Sequence, residues 1–202
     1  MPATLMEAPA SPAASEPPRK RWTWEEVLAL DAAGVDLNHF ELIEGELVDK
    51  MSKSPPHVTQ ALALRDWLIG VFGLEKVRQE SPMKLALKER STVPEPDLVV
   101  LRVSYKQFAR KRPTADDVLL IAEVSNETLS FDLNKKAALY AQAGIPDYWV
   151  LDVKGRRLFV LREPAEGKYR SILVYSENES VAPLAAPESP FPVSAAFVSQ
   201  SK

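Results

Sequence analysis

The chain has 202 residues, a length typical of one domain with a substantial buried core. It contains no cysteine, which excludes disulfides and thiolate metal sites and suits a reducing compartment, so we expect a cytoplasmic protein. It has no run of 18 apolar residues, and no membrane-spanning helix is predicted. The net charge of −3 argues against nucleic-acid binding driven by overall charge, so any such binding would depend on a local site.

The composition divides the chain into three parts. Residues 1–21 are rich in Pro and Ala, lack the features of a signal peptide, and are expected to form a disordered tail. Residues 22–180 carry the periodic apolar runs and are expected to form one folded domain. Residues 181–202 are again rich in Pro and Ala, which predicts a loose C-terminal arm.

Two helices and a hairpin are predicted in the first third of the chain. A short helix is predicted over Thr23–Ala33, because its first residues form a capping box. Two strand-like runs around a glycine predict a hairpin over Phe40–Asp49. A longer helix is predicted over His57–Phe72, where apolar residues recur at helical spacing after two prolines.

Strand signals dominate the rest of the chain. The predicted strands are, in order, Val77–Glu80, Met83–Leu87, Asp97–Val103, Val118–Val124, Tyr148–Val153, Arg157–Leu161 and Tyr169–Tyr175. The fourth is a nearly continuous apolar run, as in strands covered on both faces. One further helix is predicted over Asp132–Ala143. The pattern predicts an α/β fold (α+β, with a mixed sheet) in which helices flank the strands.

Two carboxylates lie at the ends of apolar strands. Glu123 follows a buried run and Asp97 opens another, and burying such a group is costly unless it is paired or binds a cation. Together they would make an oxygen site suited to Mg²⁺ or Mn²⁺. The alternative is structural: Asp97 would form a turn after Pro96, and Glu123 would pair with a lysine. Spacing alone favours the structural alternative.

Two adjacent lysines follow Glu123 on the third predicted helix. The helical period places Lys136 at the border of the apolar face and Lys135 toward solvent. Lys136 is therefore the lysine that could reach a buried carboxylate site. Its alternative role is a helical i,i+4 pair with Asp132, which contributes only a few tenths of a kcal/mol.

Other polar residues give weaker signals. Glu41, or its hairpin neighbours Glu44 and Glu46, could supply a third acidic ligand, although a solvated strand face is the more common role for each of them. His57 begins the long helix, where it could orient water or a phosphate, or simply cap or pack. A basic cluster could contact nucleic acid but is more typical of solvated surface: Lys106, Arg110, Lys111 and Arg112.

An ordered series of motifs resembles a known family, the Uma-two family of restriction-endonuclease-like proteins, within the PD-(D/E)XK nuclease superfamily. The resemblance spans about Trp22 to Val174 and depends on these segments: Phe40-Glu41-Leu42-Ile43-Glu44-Gly45-Glu46-Leu47, Ser54-Pro55-Pro56-His57, Pro96-Asp97-Leu98-Val99-Val100, Ile121-Ala122-Glu123-Val124-Ser125, Asp132-Leu133-Asn134-Lys135-Lys136, Tyr140 and Ala143-Gly144-Ile145-Pro146-Asp147-Tyr148-Trp149-Val150-Leu151-Asp152. It implies a restriction-endonuclease-like core over residues 22–180, built of mixed strands flanked by helices.

The resemblance also implies roles for particular residues. Asp97 and Glu123 match the superfamily's acidic pair, but Ser125 stands where its lysine usually lies, and Lys136 matches the family's replacement on the next helix. Glu41 and His57 match the family's additional acidic residue and histidine.

The resemblance further implies metal-dependent hydrolysis of a DNA phosphodiester. Asp97, Glu123, the Val124 carbonyl and Glu41 would hold Mg²⁺ or Mn²⁺, and Lys136 would orient water or stabilise the transition state. Relatives with such a core often pair, so a homodimer is expected.

Two other functions remain open at this stage. The chain could be an inactive nuclease-fold module that binds nucleic acid or a partner, which the acidic charge and Ser125 favour. It could also be a structural metal-binding protein with no affinity for nucleic acid.

Overall fold

The computed structural model describes residues 19–50, 53–87 and 90–197. Its helices are α1 Trp24–Ala32, α2 Pro55–Phe72, α3 Leu129–Phe131 and α4 Ala137–Gln142, with a π-helical turn over Asp132–Lys136 joining the last two. The strands are β1 Phe40–Ile43, β2 Glu46–Asp49, β3 Val77–Gln79, β4 Leu98–Leu101, β5 Val118–Ser125, β6 Asp147–Asp152, β7 Arg157–Ala165, β8 Lys168–Ser176, β9 Ser180–Val181 and β10 Phe191–Pro192. The mixed α/β fold expected from the sequence is confirmed. The expected disordered tail lies almost wholly outside the described residues.

A six-stranded mixed sheet is the centre of the fold. Its strand order is β3-β4-β5-β6-β7-β8, and only β5 and β6 run parallel. The chain crosses from β5 to β6 through α3, the π turn and α4, since parallel neighbours need a long connection. A separate hairpin, β1-β2, lies beside the sheet and pairs through Leu42 with Val93.

Alternation along each strand builds a core on both faces of the sheet. On one face, Leu120 and Ala122 pack with α2 and the C-terminal segment. On the other, Ile121 and Val150 pack with α4. Because successive side chains point to opposite faces, Glu123 must share the face of Ile121, under the helical crossover.

The start of each helix follows from local chemistry. Thr23 caps α1, accepting from the backbone N–H of Glu26 while the Glu26 side chain accepts from that of Thr23, as the capping box predicts. Ser54 caps α2, so Pro55 and Pro56 lie inside the first turn, where the missing N–H groups cost nothing. No helix of the described residues is both long and apolar enough to cross a membrane.

Three expected elements differ from the structure. Met83–Leu87 is not a strand: it makes a single bridge, Leu85 to Thr92, because Pro82 and Pro94 flank the segments and lack N–H groups. Strand β4 stops at Leu101, where the pairing with β5 shifts register, rather than at Val103. The third helix begins at Leu129 instead of Asp132 and contains the π turn.

The C-terminal arm is also packed rather than loose along its described length. Strands β9 and β10 pair with each other, and Phe191 and Val193 are fully buried. The Phe191 ring lies 4.8 Å from the ring of Trp67 and 6.0 Å from that of Trp149, centroid to centroid. A few large apolar side chains therefore fix a segment whose composition suggested mobility.

Candidate active site

Adjacent strands β4 and β5 bring the two predicted carboxylates together. Leu98 pairs with Ala122, so Asp97 and Glu123, one residue further along each strand, are neighbours on the helical-crossover face. The backbone N–H of Asp97 donates to Glu123 Oε2 at 3.3 Å, and the N–H of Val124 donates to Asp97 Oδ2 at 2.8 Å. Each carboxylate is thus oriented by the backbone beside the other.

Lys136 lies between two buried carboxylates. Its Nζ is 3.0 Å from Glu123 Oε1 and 3.2 Å from Glu41 Oε1, and only 7% of its side chain is exposed. Lys135 instead has 43% of its side chain exposed and pairs with Glu44. The structure thus places Lys136 inside and Lys135 outside, and Lys136 forms these two longer-range ion pairs in place of the alternative i,i+4 pair with Asp132.

Glu41 reaches the site because the hairpin turns sharply after it. The turn passes through Glu44 and Gly45, both with positive φ, 49° and 77°. Glu41 Oε2 accepts a hydrogen bond from the backbone N–H of Glu95 at 3.0 Å, which fixes the carboxylate beside Lys136. Glu44 and Glu46 form ion pairs at the surface, so Glu41 is the hairpin carboxylate that joins the site.

His57 and Lys53 contact the outer oxygen of Asp97. His57, in the first turn of α2, places Nε2 3.2 Å from Asp97 Oδ1. Lys53 Nζ lies 3.6 Å from the same oxygen and 2.8 Å from Glu80. Burial opposes ionisation of Asp97, but the hydrogen bond and charge of His57, the Val124 N–H and the charge of Lys53 together lower the pKa of that carboxyl.

Two polar contacts at the site were not anticipated from the sequence. Tyr140 donates its hydroxyl to Glu123 Oε1 at 2.9 Å, although its place on the apolar face had suggested a packing role alone. Asp132 is buried and accepts from the Thr128 hydroxyl at 2.6 Å, without a basic side chain within ion-pair distance in the described chain. The sequence signal for the first contact was that Tyr140 follows Lys136 by one helical turn, so its hydroxyl lies on the same buried face of the helix.

Burial dominates the electrostatics of Glu123. Loss of hydration raises the pKa of its carboxyl to about 8; the Lys136 ammonium opposes the shift, and the carboxylates of Asp97, Asp132 and Glu41 add to it. Burial alone would lower the pKa of Lys136, but Glu123, Glu41 and Asp132 raise it above its ordinary value. One buried cation therefore faces several acids, a charge imbalance that a further cation would relieve.

The site opens into a cavity of about 660 Å³. The charged groups of the cavity wall are mostly acidic, with seven carboxylates against four lysines and one histidine. The carboxylates belong to Glu41, Asp49, Glu95, Asp97, Glu123, Glu127 and Asp132, and the lysines are Lys50, Lys53, Lys135 and Lys136. A phosphate could approach this wall favourably only after bound cations had reduced its negative charge.

The predicted basic cluster lies elsewhere. Lys106 pairs with Glu75, Lys111 lies over the Phe108 ring, and Arg112 lies over the Trp24 ring. None of the four cluster residues lines the site cavity. In the described structure the four cluster residues are exposed to solvent, and the contacts of Lys106, Lys111 and Arg112 are with nearby surface side chains and rings.

The donors at the end of β5 fit a hard divalent cation. The carbonyl of Ser125 accepts from the N–H of Val153 on the β6 side, so the carbonyl of Val124, one residue earlier, faces the β4 side. Continuing the register of β4 places Pro96 opposite Val124, and proline has no N–H to bond this carbonyl. Among the described residues no three His, Asp or Glu side chains form a metal-binding group by themselves. Two carboxylates and a carbonyl suit Mg²⁺, which commonly keeps several waters.

Comparisons with known proteins bear on the family and the fold. The family model of Uma2, described as "Putative restriction endonuclease", matches residues 24–194. A solved structure of a DUF820 protein from Anabaena variabilis, titled a "putative nuclease", is similar with a TM-score of 0.58 and 18% identity, covering 78% of this chain and 89% of that one. That similarity shows a shared fold. No curated protein matches the chain. Because the family model covers most of its length, the chain belongs to the Uma2 family.

Proposed function

We propose that this chain is a metal-dependent DNA endonuclease that hydrolyses phosphodiester bonds with Mg²⁺ or Mn²⁺ in the cytoplasm. The observation that carries the proposal is the buried Lys136 ammonium, 3.0 Å from Glu123 and 3.2 Å from Glu41, at the site that also holds Asp97. Nuclease-like function agrees with the family and with the fold of the DUF820 protein.

In this proposal Asp97, Glu123 and the Val124 carbonyl hold the ion, and Glu41 is a further acidic ligand or positions a second ion. When bound, the ion supplies a water of lowered pKa and positive charge against the phosphate. The N–H groups of Val124 and Asp97 keep the two carboxylates oriented.

Lys136 supplies a buried positive charge to the site. Its ammonium has three donors, of which the two carboxylates engage two, so one can contact water or a phosphate oxygen. A preorganised buried cation stabilises developing negative charge more strongly than a solvated one. Ser125 occupies the usual lysine position but bonds through Oγ to the Thr128 hydroxyl, 3.2 Å away, which leaves the ionic role to Lys136.

His57 holds the outer face of Asp97. Its Nε2 contacts Oδ1, while the Val124 N–H holds Oδ2, so the carboxylate plane is defined from both sides. With a cation held at Asp97, His57 would be placed to orient a water or a phosphate in the cavity.

The decisive experiment compares purified wild type with Glu123→Ala on plasmid, linear and single-stranded DNA. Each DNA is incubated with Mg²⁺, with Mn²⁺ and with chelator. We expect cleavage by the wild type that disappears with chelator and with Glu123→Ala. Cleavage that persists in Glu123→Ala would show that the site is misplaced or that another nuclease is present.

A second pair of variants tests the assignment of the lysine. Lys136→Ala should reduce the metal-dependent rate by about 100-fold or more, because it removes the charge inside the site. Lys135→Ala removes an equal charge from the surface and should retain nearly the full rate. Thermal unfolding of each variant establishes that it is folded. An unchanged rate in folded Lys136→Ala would refute the role of Lys136.

Ser125 at the usual lysine position favours a second candidate function, a nuclease-fold module that binds nucleic acid or a partner without cleaving it. Wild type that binds the metal and DNA but cleaves none of the three DNA forms would support this candidate. Metal binding with no affinity for DNA would instead support a structural metal-binding protein.

A further inference from the structure

Strand β8 forms one edge of the central sheet and exposes three consecutive aliphatic side chains. Ile172, Leu173 and Val174 are 55%, 51% and 48% exposed. Because side chains alternate along a strand, Ile172 and Val174 lie on one face of the sheet and Leu173 on the other. The outer edge of β8 is therefore apolar on both faces.

Edges of this kind are normally protected. Natural sheets place charged residues, prolines or bulges on exposed edges, because unpaired N–H and C=O groups attract other strands. β8 pairs with β7 from Arg157↔Ser176 to Ala165↔Lys168, except at Glu163 and Arg170, where the pairing is broken. No described strand pairs with its other side. Its central residues lack every one of the usual protections.

The sequence of β8 is complementary to itself in the antiparallel direction. Pairing two copies around Leu173 places each Ile172 opposite the partner's Val174, so aliphatic residues meet aliphatic residues. The start of the strand is basic, with Lys168 and Arg170, and the segment just past its end is acidic, with Glu177 and Glu179. Antiparallel pairing brings the basic end of each copy to the acidic end of the other.

The charges at the basic end are available for this contact. Lys168 and Arg170 are exposed, and neither forms an ion pair with another described residue. At the acidic end, Glu177 already pairs with Arg156 of its own copy, whereas Glu179 forms no ion pair with the described residues. Pairing around Leu173 sets Arg170 opposite the partner's Ser176, next to Glu177. A parallel arrangement would instead place like charges together, which disfavours it.

We infer that β8 pairs antiparallel with β8 of a second copy of this chain, centred on Leu173, and joins the two central sheets into one. The backbone groups of the free edge then find partners, and the exposed aliphatic residues are covered. Three strand spacings separate β8 from β5, so the pairing surface is distinct from the candidate active site. This inference does not depend on the proposed function.

Matched lysine substitutions test the pairing through the mass in solution. Sedimentation equilibrium should give the wild type twice its chain mass of 22.4 kDa. Leu173→Lys should raise the dissociation constant by at least about 100-fold, since it places two ammonium groups at the two-fold axis. Leu184→Lys is the control, because Leu184 has the same 51% exposure but lies outside β8. A monomeric wild type, or a fully dimeric Leu173→Lys, would overturn the inference.

A cysteine variant tests the register directly. The natural chain has no cysteine, so Leu173→Cys introduces one thiol per copy. Directly opposed residues in an antiparallel pair have Cα atoms about 4.5–5.5 Å apart, within the range of a disulfide. Mild oxidation should therefore give a covalent dimer with Leu173→Cys and none with Leu184→Cys. Equal crosslinking of the two variants would mean random collision and would contradict the pairing.

Discussion

Lys136 illustrates how one buried charge stabilises two others. Replacing it by methionine would leave Glu41 and Glu123 buried without their cation, and breaking such a pair costs about 3–5 kcal/mol of unfolding free energy. Lys135→Met removes only a surface pair with Glu44, and should cost less than about 1 kcal/mol. Urea denaturation of both variants at neutral pH measures the difference. Equal losses would mean that Lys136 contributes no more than a surface residue.

Tyr140 is expected to position Glu123 rather than to act on the substrate. Tyr140→Phe removes the hydrogen bond to Glu123 Oε1 and should cost about 1–2 kcal/mol of stability and weaken Mg²⁺ binding. Tyr169→Phe removes a similar buried hydrogen bond, to the Ile145 carbonyl, away from the site. It should lose comparable stability while retaining the metal affinity. Calorimetric titration with Mg²⁺ checks both, and unchanged binding by Tyr140→Phe would contradict the role.

The candidate site was partly predictable at this scale. Asp97 and Glu123 were found because a carboxylate at the end of an apolar strand is costly without a partner. The helical period selected Lys136 over Lys135. Glu41 remained open because its orientation depends on the turn at Gly45, and the 3.2 Å contact of His57 with Asp97 joins residues 40 positions apart. Sequence periodicity describes one element at a time and does not measure such distances.

At the scale of elements, the C-terminal segment gives the clearest test. Phe191 is fully buried against the rings of Trp67 and Trp149, so Phe191→Ala should lower the free energy of unfolding by about 3–5 kcal/mol. Leu184→Ala lies in the same segment but is half exposed, and should change stability by less than about 0.5 kcal/mol. Chemical denaturation distinguishes them. A loss below about 1 kcal/mol for Phe191→Ala would mean that the segment is loose after all.

The error over this segment has a physical origin. Its strands have two residues each, too short for a periodic pattern, and its prolines and alanines resemble a linker. What orders it is burial of a few large side chains against α2 and the sheet, together with the N–H of Leu184, which donates to the buried Asp147 carboxylate at 2.8 Å. Such tertiary contacts override composition and leave no local signature.

For the whole molecule, the class of the fold followed from the order of its patterns. A run of strands interrupted by one helix indicates a mixed sheet, and the helix between β5 and β6 supplies the long connection that their parallel pairing needs. The hairpin β1-β2 was predicted by its short connection around a glycine. The π turn that shapes the crossover was not predictable, because an extra residue in a helical turn does not change the local composition.

Stability of the whole molecule should depend on pH through Asp132. Burial raises the pKa of its carboxyl, with the Lys136 charge and the hydroxyls of Thr128 and Ser125 opposing the shift. When the pKa of a carboxyl is higher in the folded than in the unfolded protein, its protonated form stabilises the fold. This contribution is fully present below the ordinary pKa of about 3.9 and is lost as pH rises through the folded pKa. Asp132→Asn removes this loss and keeps an oxygen to accept from Thr128.

We therefore expect Asp132→Asn to match the wild type in melting temperature near pH 4 and to exceed it increasingly toward neutral pH. Each unit by which the folded pKa exceeds the ordinary one corresponds to about 1.4 kcal/mol. Loss of the Asp132 charge also eases ionisation of Glu123, because that charge helps to raise the Glu123 pKa, and this adds to the gain. Melting curves from pH 4 to 8 measure the difference. A difference that stays constant with pH, or falls as pH rises, would show that Asp132 ionises without cost in the folded protein.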